Sequence, residues 1–265
     1  LLNNSSHLKG NTKLARMLTE DQIENGFEEA FKILEKIGVH FWTEESREIL
    51  RKGGARIEGE RVFITKKMYE DAMSVTPKYT YPEKFSDNPI GLGPAFGNVP
   101  IIYDDITGLF RRGTIEDIIN VHKIAQTDPR VTICDLAVID PLGLNPENIF
   151  MSNVALMLKY TNKYFSNGFR ATYGNTPDKD LYGNMRDAIK LVKRYHGLSE
   201  NSDKVIMDQG ICPMAPLAYD IEALENLNAA LDEGLPVSLC PCTVANLTGP
   251  SSHLGVGIHD LAMCI

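Results

Sequence analysis

The sequence lacks several features that would assign it to a familiar class of protein. It has only five cysteines in 265 residues, and this odd, scattered set excludes a disulfide framework. No apolar run approaches the roughly 20 residues that a membrane helix needs, and the polar residues 1–6 show no signal-peptide pattern. Acidic residues outnumber basic ones, 35 to 27, which argues against nucleic acid or an anionic membrane as the main partner. These absences predict a reduced, cytoplasmic protein.

Two phosphate-binding motifs are missing as well. No G-x-G-x-x-G run follows a predicted strand, and no Walker A sequence is present. A nucleotide-binding doubly wound sheet is therefore less favoured than a barrel. With 43% hydrophobic and 23% charged residues, the composition is that of an ordinary globular protein long enough to bury a sizeable core.

The first part of the chain has strong helix signals. Thr19 and Gln22 form a capping-box pattern, and Gly38 ends the apolar periodicity that follows. A second helix is predicted over residues 44–52, a hairpin over 56–64, and a third helix from Thr65 onwards. Prolines and glycines then crowd residues 81–100. We predict a mostly helical subdomain over residues 1–88 and a second domain over residues 89–265.

The second part alternates strands and helices. Strands are predicted at residues 131–139, 164–167, 205–212 and 236–240, and each precedes a helical segment. Alternating units of 30–40 residues favour the α/β class with a parallel sheet covered by helices. A TIM-type β/α barrel needs eight strands and about 250 residues of its own. Since only four units are found, the sequence predicts a β/α barrel that is incomplete at its C-terminus.

Several segments occur in the order and spacing of one known family. They read LEKIGV at 34–39, GGA at 53–55, IYDDITG at 102–108, RRGT at 111–114, CPMAPL at 212–217, EALE at 222–225, GLPV at 234–237 and TGP at 248–250. In this common order they resemble the trimethylamine methyltransferase family, which includes glycine betaine methyltransferases. Relatives commonly continue after TGP with a VTLAG-like run, whereas this chain reads SSHLG, so the substrate stays open.

The resemblance implies a corrinoid-dependent methyltransferase. Family members move a methyl group from a methylated tertiary or quaternary amine, such as trimethylamine or a betaine, to the Co(I) corrinoid of a partner protein. The chain would bind no cofactor directly, because the corrinoid (cobalamin) is carried by that cognate corrinoid protein. The implied partners are the cognate corrinoid protein and a small methylated amine. The resemblance does not decide whether the chain forms a homo-oligomer. The later barrel position at which trimethylamine enzymes carry pyrrolysine is not among the matched segments.

Candidate substrate-binding residues follow from the rule that β/α barrels carry their chemistry on the loops after the strands. In chain order they are Phe96 and Asn98 on the Gly-rich approach, Asp140 after the first unit, Asn167, Phe169 and Arg170 after the second, Met214 after the third and Thr243 after the fourth. Phe96 and Phe169 would face a quaternary cation, and Arg170 would hold a carboxylate. The alternatives are that Phe96 and Phe169 belong to the apolar core and that Arg170 forms a structural ion pair with a nearby aspartate. No residue is assigned a catalytic role.

The cysteines near the last predicted strand allow a second interpretation. Cys240 and Cys242, together with His253 or His259, would make a zinc site. Zinc sites favour Cys-x₂₋₄-Cys over Cys-x-Cys spacing, so buried, unreactive thiols are the favoured interpretation and no metal site is predicted.

Three further alternatives concern polar residues and function. Asp104 and Asp105 would be either a catalytic carboxylate pair or, as we favour, a turn. Thr114 is predicted to cap a helix that runs to Gln126, and His122 is predicted on its polar side with a structural role. A metal-dependent β/α lyase would need ligands at the strand ends, and none are found. A non-catalytic fragment that binds betaines or docks a corrinoid protein is the remaining rival.

Overall fold

The structure is a computed structural model that describes residues 18–77, 101–134, 142–145, 149–165, 180–200, 202 and 204–265. Its elements in chain order are α1 (Glu20–Lys36), β1 (Val39–Phe41), α2 (Glu44–Lys52), β2 (Arg56–Glu58), β3 (Arg61–Phe63), α3 (Lys66–Val75), β4 (Ile101–Asp104), β5 (Leu109–Arg112), α4 (Ile115–Thr127), β6 (Ile133–Cys134), α5 (Ile149–Tyr160), β7 (Tyr164–Phe165), α6 (Leu181–Tyr195), β8 (Gln209–Ile211), β9 (Ala218–Tyr219), α7 (Ile221–Asp232), β10 (Val237–Leu239) and α8 (His253–Cys264). The chain is therefore of the α/β class, as predicted.

The capping residues define the predicted helix starts. The Thr19 hydroxyl accepts a hydrogen bond from the Gln22 amide, and the Gln22 side chain accepts one from the Thr19 amide, which completes a capping box at α1. Thr65 accepts from the Met68 amide in the same way at α3. After α1, Gly38 turns the chain with a φ of +73°, and a Cβ there would lie 2.6 Å from a backbone oxygen.

The N-terminal region also contains a strand, β1, that the sequence did not predict and that pairs with a strand from the second part of the chain. Strand β1 pairs antiparallel with β3, which pairs with β2 in the predicted hairpin. On its other edge β1 pairs in parallel with β9, and His40 lies opposite Ala218. A three-residue strand shows no periodicity of its own, and its partner lies far along the chain. The predicted boundary at residue 88 falls outside the described residues and stays a prediction.

Four parallel strands follow one another in chain order. Strand β6 pairs with β7 through Cys134 and Phe165. Phe165 forms a parallel bridge to Met207, just before β8, and β8 pairs in parallel with β10. All four begin inside the predicted strand ranges, and α5, α6, α7 and α8 follow them. Within the described residues these strands form an open arrangement, and the closed barrel stays a prediction.

The two largest apolar cores among the described residues support this arrangement. One lies under β6 and β7 and includes the fully buried side chains of Met157, Ile189 and Met207. The other joins the N-terminal helices to the last two, and its members include Phe31 of α1 and Met263 of α8. None of the helices in the described part of the chain has the length and apolarity to cross a membrane.

The β4–β5 hairpin is held on the start of α4 by a network of charges. Arg111 donates from Nη1 and Nη2 to the two oxygens of Asp117, at 2.7 and 2.9 Å, and from Nε to Asp104 at 3.0 Å. Asp117 also completes the capping box with Thr114. These hydrogen bonds hold the pKa of the Asp117 carboxyl well below its usual range. The backbone bridge between Thr114 and Leu142 ties the hairpin to the loop after β6.

The same network decides the role of the adjacent aspartates. Asp104 Oδ1 accepts from the amides of Ile106 and Thr107 at 3.0 and 3.1 Å, which is a turn of the type that aspartate side chains stabilise. Hydrogen bonding from the Thr107 amide and from Arg111 lowers the Asp104 pKa. Asp105 is exposed at the tip. The turn interpretation of this pair is confirmed.

His122 differs from its prediction. It is fully buried on α4 rather than on a polar side, and its Nδ1 lies 3.4 Å from the Cys134 thiol of β6. Burial lowers its pKa to about 4 because the charged form loses hydration. Helix periodicity alone did not reveal that β6 and α5 cover this side of α4.

Candidate functional site

The carboxyl ends of β8 and β10 lie side by side. Ile211 and Leu239, their last residues, are register partners, and the Cys240 amide donates to the Ile211 carbonyl at 2.9 Å. The segments after these two strands, 212–217 and 240–250, therefore leave the sheet at the same edge. Ligands of parallel α/β sheets bind at this edge.

The structure describes two of the eight predicted substrate-binding residues. Met214 and Thr243 lie on the loops just named. The other six lie outside the described residues and stay predictions. They are Phe96, Asn98, Asp140, Asn167, Phe169 and Arg170.

The loop after β8 is a tight return that presents Met214. The Met214 amide donates to the Ala218 carbonyl at 2.7 Å, and the Ala218 amide donates back at 2.9 Å. Between them, Leu217 has a φ of +48°, an unusual backbone conformation for a residue with a side chain. Met214 is 39% exposed, so its flexible thioether is available to an apolar group at the strand ends.

The loop after β10 places Thr243 against α8. The Thr243 hydroxyl lies 3.0 Å from His259 Nδ1, and it donates to Asp260 Oδ1. His259 is only 6% exposed, whereas Thr243 and Asp260 are half-buried. His259 Nε2 is buried and has no hydrogen-bond partner among the described residues. A threonine at the strand end is thus held by two polar residues of the following helix.

The TGP segment shapes the space around Thr243. A Cβ atom on Gly249 would lie 2.1 Å from Thr243 Cγ2, so glycine is needed where the threonine methyl group packs. Thr248 closes the loop, because its hydroxyl accepts from the Val244 amide at 2.9 Å and its amide donates to the Val244 carbonyl at the same distance. This segment, which also contributed to the resemblance, has a local structural function.

Sequence reasoning did not identify the role of His259 and Asp260. His259 was considered only as a ligand of an alternative zinc site. The available signal was a polar pair between Ile258 and Leu261 in an otherwise apolar helix. That signal does not say that the pair faces Thr243, which lies 16 residues earlier.

The cysteines at this edge are more exposed than predicted. Cys240 and Cys242 are both exposed, and Cys242 Sγ lies 3.7 Å from the Cys240 carbonyl oxygen, so the prediction of buried thiols is wrong. The reason is that β10 ends at Leu239 and both residues lie on the loop beyond it. Across the described ranges, no three His, Cys, Asp or Glu residues converge in a way that could hold a metal ion.

Comparison with known proteins places the chain in a family. Residues 2–262 match the profile of the trimethylamine methyltransferase (MTTB) family. The chain belongs to this family. The match spans both the N-terminal helices and the four parallel units, so the resemblance carried by the short segments is confirmed.

Several methyltransferases are similar to this chain. It is 26% identical over 252 residues to the L-carnitine:corrinoid methyltransferase of Eubacterium limosum, covering 92% of this chain and 51% of that protein. It is 28% identical over 251 residues to the proline betaine:corrinoid methyltransferase of the same organism, with 89% and 49% covered. The glycine betaine methyltransferase of Desulfitobacterium hafniense (strain Y51) is 26% identical, with 90% and 49% covered. The chain thus spans about half the length of the curated relatives it matches.

Among solved structures, the catalytic domain of a mannanase from Streptomyces sp. SirexAA-E superposes with a TM-score of 0.33 at 11% identity, covering 68% of this chain and 56% of that chain. At this TM-score the likeness carries no argument about the fold.

Proposed function

We propose that this chain is part of a corrinoid-dependent methyltransferase. It would move a methyl group from a methylated tertiary or quaternary amine, trimethylamine or a betaine, to the Co(I) corrinoid of a partner protein. The observation that carries the proposal is the match of about nine-tenths of the chain to three relatives named as methyltransferases, two of them with corrinoid in their names. All three names specify a quaternary ammonium compound that also bears a carboxylate. We therefore favour a betaine-like substrate.

The proposed substrate site lies at the carboxyl ends of β6, β7, β8 and β10, at the mouth of a β/α barrel. Its residues are Phe96, Asn98, Asp140, Asn167, Phe169, Arg170, Met214 and Thr243. In support, the four strands run parallel in chain order, and Met214 and Thr243 both follow strand ends. The domain division proposed with this site remains 1–88 and 89–265.

In the proposed methyl transfer, the main task of the chain is to bind and orient the amine. The partner's corrinoid supplies the nucleophile and accepts the methyl group. A quaternary amine leaves as a neutral amine that keeps the electron pair of the broken C–N bond, so it needs no proton from the chain. The proposed tasks are then geometric: Phe169 offers a ring face to the cation, and Arg170 pairs with the carboxylate. Such positioning makes a bimolecular transfer efficient.

The proposed partners are a cognate corrinoid protein and the small amine. Neither nucleic acid nor a membrane is proposed as a partner, because acidic residues exceed basic ones by eight, 35 against 27. A cytoplasmic location is proposed on the same grounds. If the protein forms an oligomer, we propose that it is a homo-oligomer.

Calorimetric titration followed by a methyl-transfer assay tests this proposal. Glycine betaine, L-carnitine and trimethylamine would each be titrated into the chain, and the reduced corrinoid protein would then be added. Saturable binding of one amine and an absorbance change to the methylated corrinoid are expected. Tetramethylammonium, which has the cation without the carboxylate, is the matched control for the role of Arg170. A well-folded chain that binds no amine would contradict the proposal.

One observation favours a second candidate function. The outer edge of β10 has no strand partner within the described residues, and an open sheet leaves a barrel site incomplete. This unpaired edge is consistent with a non-catalytic fragment that binds betaines or docks a corrinoid protein. The same experiment separates the two, because such a fragment binds the amine or the partner and transfers no methyl group.

A further inference from the structure

Thr243, His259 and Asp260 form a connected polar group whose protons can be assigned. A hydroxyl has one proton to donate, and a carboxylate only accepts. Thr243 donates its proton to Asp260 Oδ1, so the bond of 3.0 Å between its oxygen and His259 Nδ1 requires the histidine to donate. His259 therefore carries a proton on Nδ1, and in the neutral ring this is the only N–H, so that Nε2 then holds the lone pair.

Three contacts fix the orientation of Thr243. His259 and Asp260 take opposite roles toward its hydroxyl, and Gly249 leaves room for its methyl group. A β-branched side chain has few χ1 rotamers, so contacts on both branches select one. The half-buried Thr243 thus presents an oxygen whose proton is committed to Asp260.

This arrangement suits a cation that has no proton to donate. A quaternary ammonium group binds through its charge and its polarised methyl groups, which favour a nearby lone pair and a nearby negative charge. Thr243 offers the lone pair, and the half-buried Asp260, which accepts the Thr243 proton, offers the charge. A hydroxyl free to rotate would instead turn its proton toward a ligand for part of the time.

We propose that His259 is a positioning residue that, together with Asp260, holds the Thr243 oxygen as an acceptor facing the quaternary ammonium of the substrate. The proposal rests on the proposed function for the identity of the ligand. Its geometric part, the Nδ1-protonated tautomer, stands on the described contacts alone.

The tautomer is tested directly by ¹⁵N NMR of the chain, whose six histidines are few enough to assign. The His259 signal is identified by its loss in His259→Asn. We expect Nδ1–H in the wild-type chain and loss of this preference in Thr243→Val, which keeps the shape and removes the hydroxyl. An Nε2–H tautomer in the wild-type chain would overturn the proposal.

The substrate role is tested with a matched pair of variants. The Asn amide nitrogen of His259→Asn takes the place of Nδ1 and still donates to Thr243, whereas that of His259→Gln takes the place of Nε2 and does not. Glycine betaine affinity is expected to stay within about threefold in His259→Asn and to fall about tenfold or more in His259→Gln, the loss expected for one oriented hydrogen bond. Thermal unfolding of both variants separates this effect from lost folding.

The outcomes distinguish the two proposals. If the wild-type chain binds and demethylates an amine, and His259→Gln binds it as tightly as His259→Asn, the positioning role is wrong while the proposed function stands. If the wild-type chain binds no amine, the proposed function fails and the substrate role fails with it, whichever tautomer NMR finds.

Discussion

Lys193 offers the sharpest test of how α6 and α7 are held together. Its side chain is 3% exposed, and its ammonium group donates to the Glu200 carbonyl at 2.8 Å. It also donates to the Glu233 carbonyl and to Glu233 Oε2, both at 3.1 Å. Arg186 donates to the other oxygen of Glu233 at 2.8 Å. We predict that Lys193→Met, which keeps the length of the stem, strongly destabilises the protein.

The magnitude follows from what the substitution leaves behind. An ammonium group has three N–H donors, and Lys193 uses all three. Methionine leaves two carbonyl oxygens without this donor and leaves the Glu233 carboxylate, 5% exposed, with only Arg186. Removing one partner of a buried ion pair costs about 3–5 kcal/mol. That is a large part of the roughly 5–15 kcal/mol by which a domain is stable.

The pH dependence of stability gives the prediction a second signature. Burial alone would raise the pKa of the Glu233 carboxyl, but hydrogen bonds from Arg186 and Lys193 outweigh it and hold the pKa below its ordinary value. Because the folded-state pKa lies below the unfolded one, this carboxylate stabilises the protein above the unfolded pKa. The contribution is lost as pH falls through the folded pKa. The difference between Lys193→Met and the wild type should therefore shrink in acid.

Urea unfolding followed by circular dichroism at pH 7 and in acid measures both effects. Lys67→Met is the matched control, because Lys67 is 80% exposed and pairs with Asp71 at 2.7 Å on the surface of α3. An exposed pair of this kind contributes little to stability, because water screens the charges and the side chains lose entropy. If Lys193→Met lowers the free energy of unfolding no more than Lys67→Met, the buried network does not hold α6 and α7 as described.

Three further predictions test the site, a core histidine and the hairpin. Gly249→Ala should displace Thr243 and weaken glycine betaine binding in calorimetry, whereas Gly257→Ala, whose Cβ meets open space, should not. Burial lowers the pKa of His122 to about 4, so the residue takes up a proton more readily in the unfolded chain. The free energy of unfolding, measured by urea titration, should therefore fall by up to about 3 kcal/mol as the pH drops from 6.5 to 4. His122→Leu should abolish this part of the pH dependence. Asp117→Asn, which weakens the hydrogen bonds from Arg111, should cost about 1–3 kcal/mol and speed trypsin cleavage at Arg111. Unchanged cleavage would contradict the role of Asp117 in holding the hairpin on α4.

The sequence predicted the elements that depend on local interactions. Thr19, Thr65 and Thr114 each mark a helix start, because a capping hydroxyl reaches an amide only three residues away. The four parallel strands were found in order for a similar reason, since each is an apolar run bounded by polar segments. Even Asp104 could be assigned to a turn, because its partners lie within seven residues.

The sequence failed where the partner lies far along the chain. Strand β1 was missed because its pairing with β9 joins His40 to Ala218. His122 was placed on a polar side because its cover comes from β6 and α5, and the thiols of Cys240 and Cys242 were judged buried although β10 ends before them. In each case burial depends on which segment packs against the residue, and a single sequence does not contain that information.

The candidate site shows the same division. The sequence by itself determined that Met214 and Thr243 follow strands, because the alternation of apolar runs and helices is encoded locally. Only the tertiary structure decided that His259 and Asp260 meet the Thr243 hydroxyl and that Gly249 backs its methyl group. The physical reason is that a hydrogen bond of 3.0 Å between a loop and the middle of a helix depends on how α8 packs against the sheet and α1, and this packing is the sum of many distant apolar contacts.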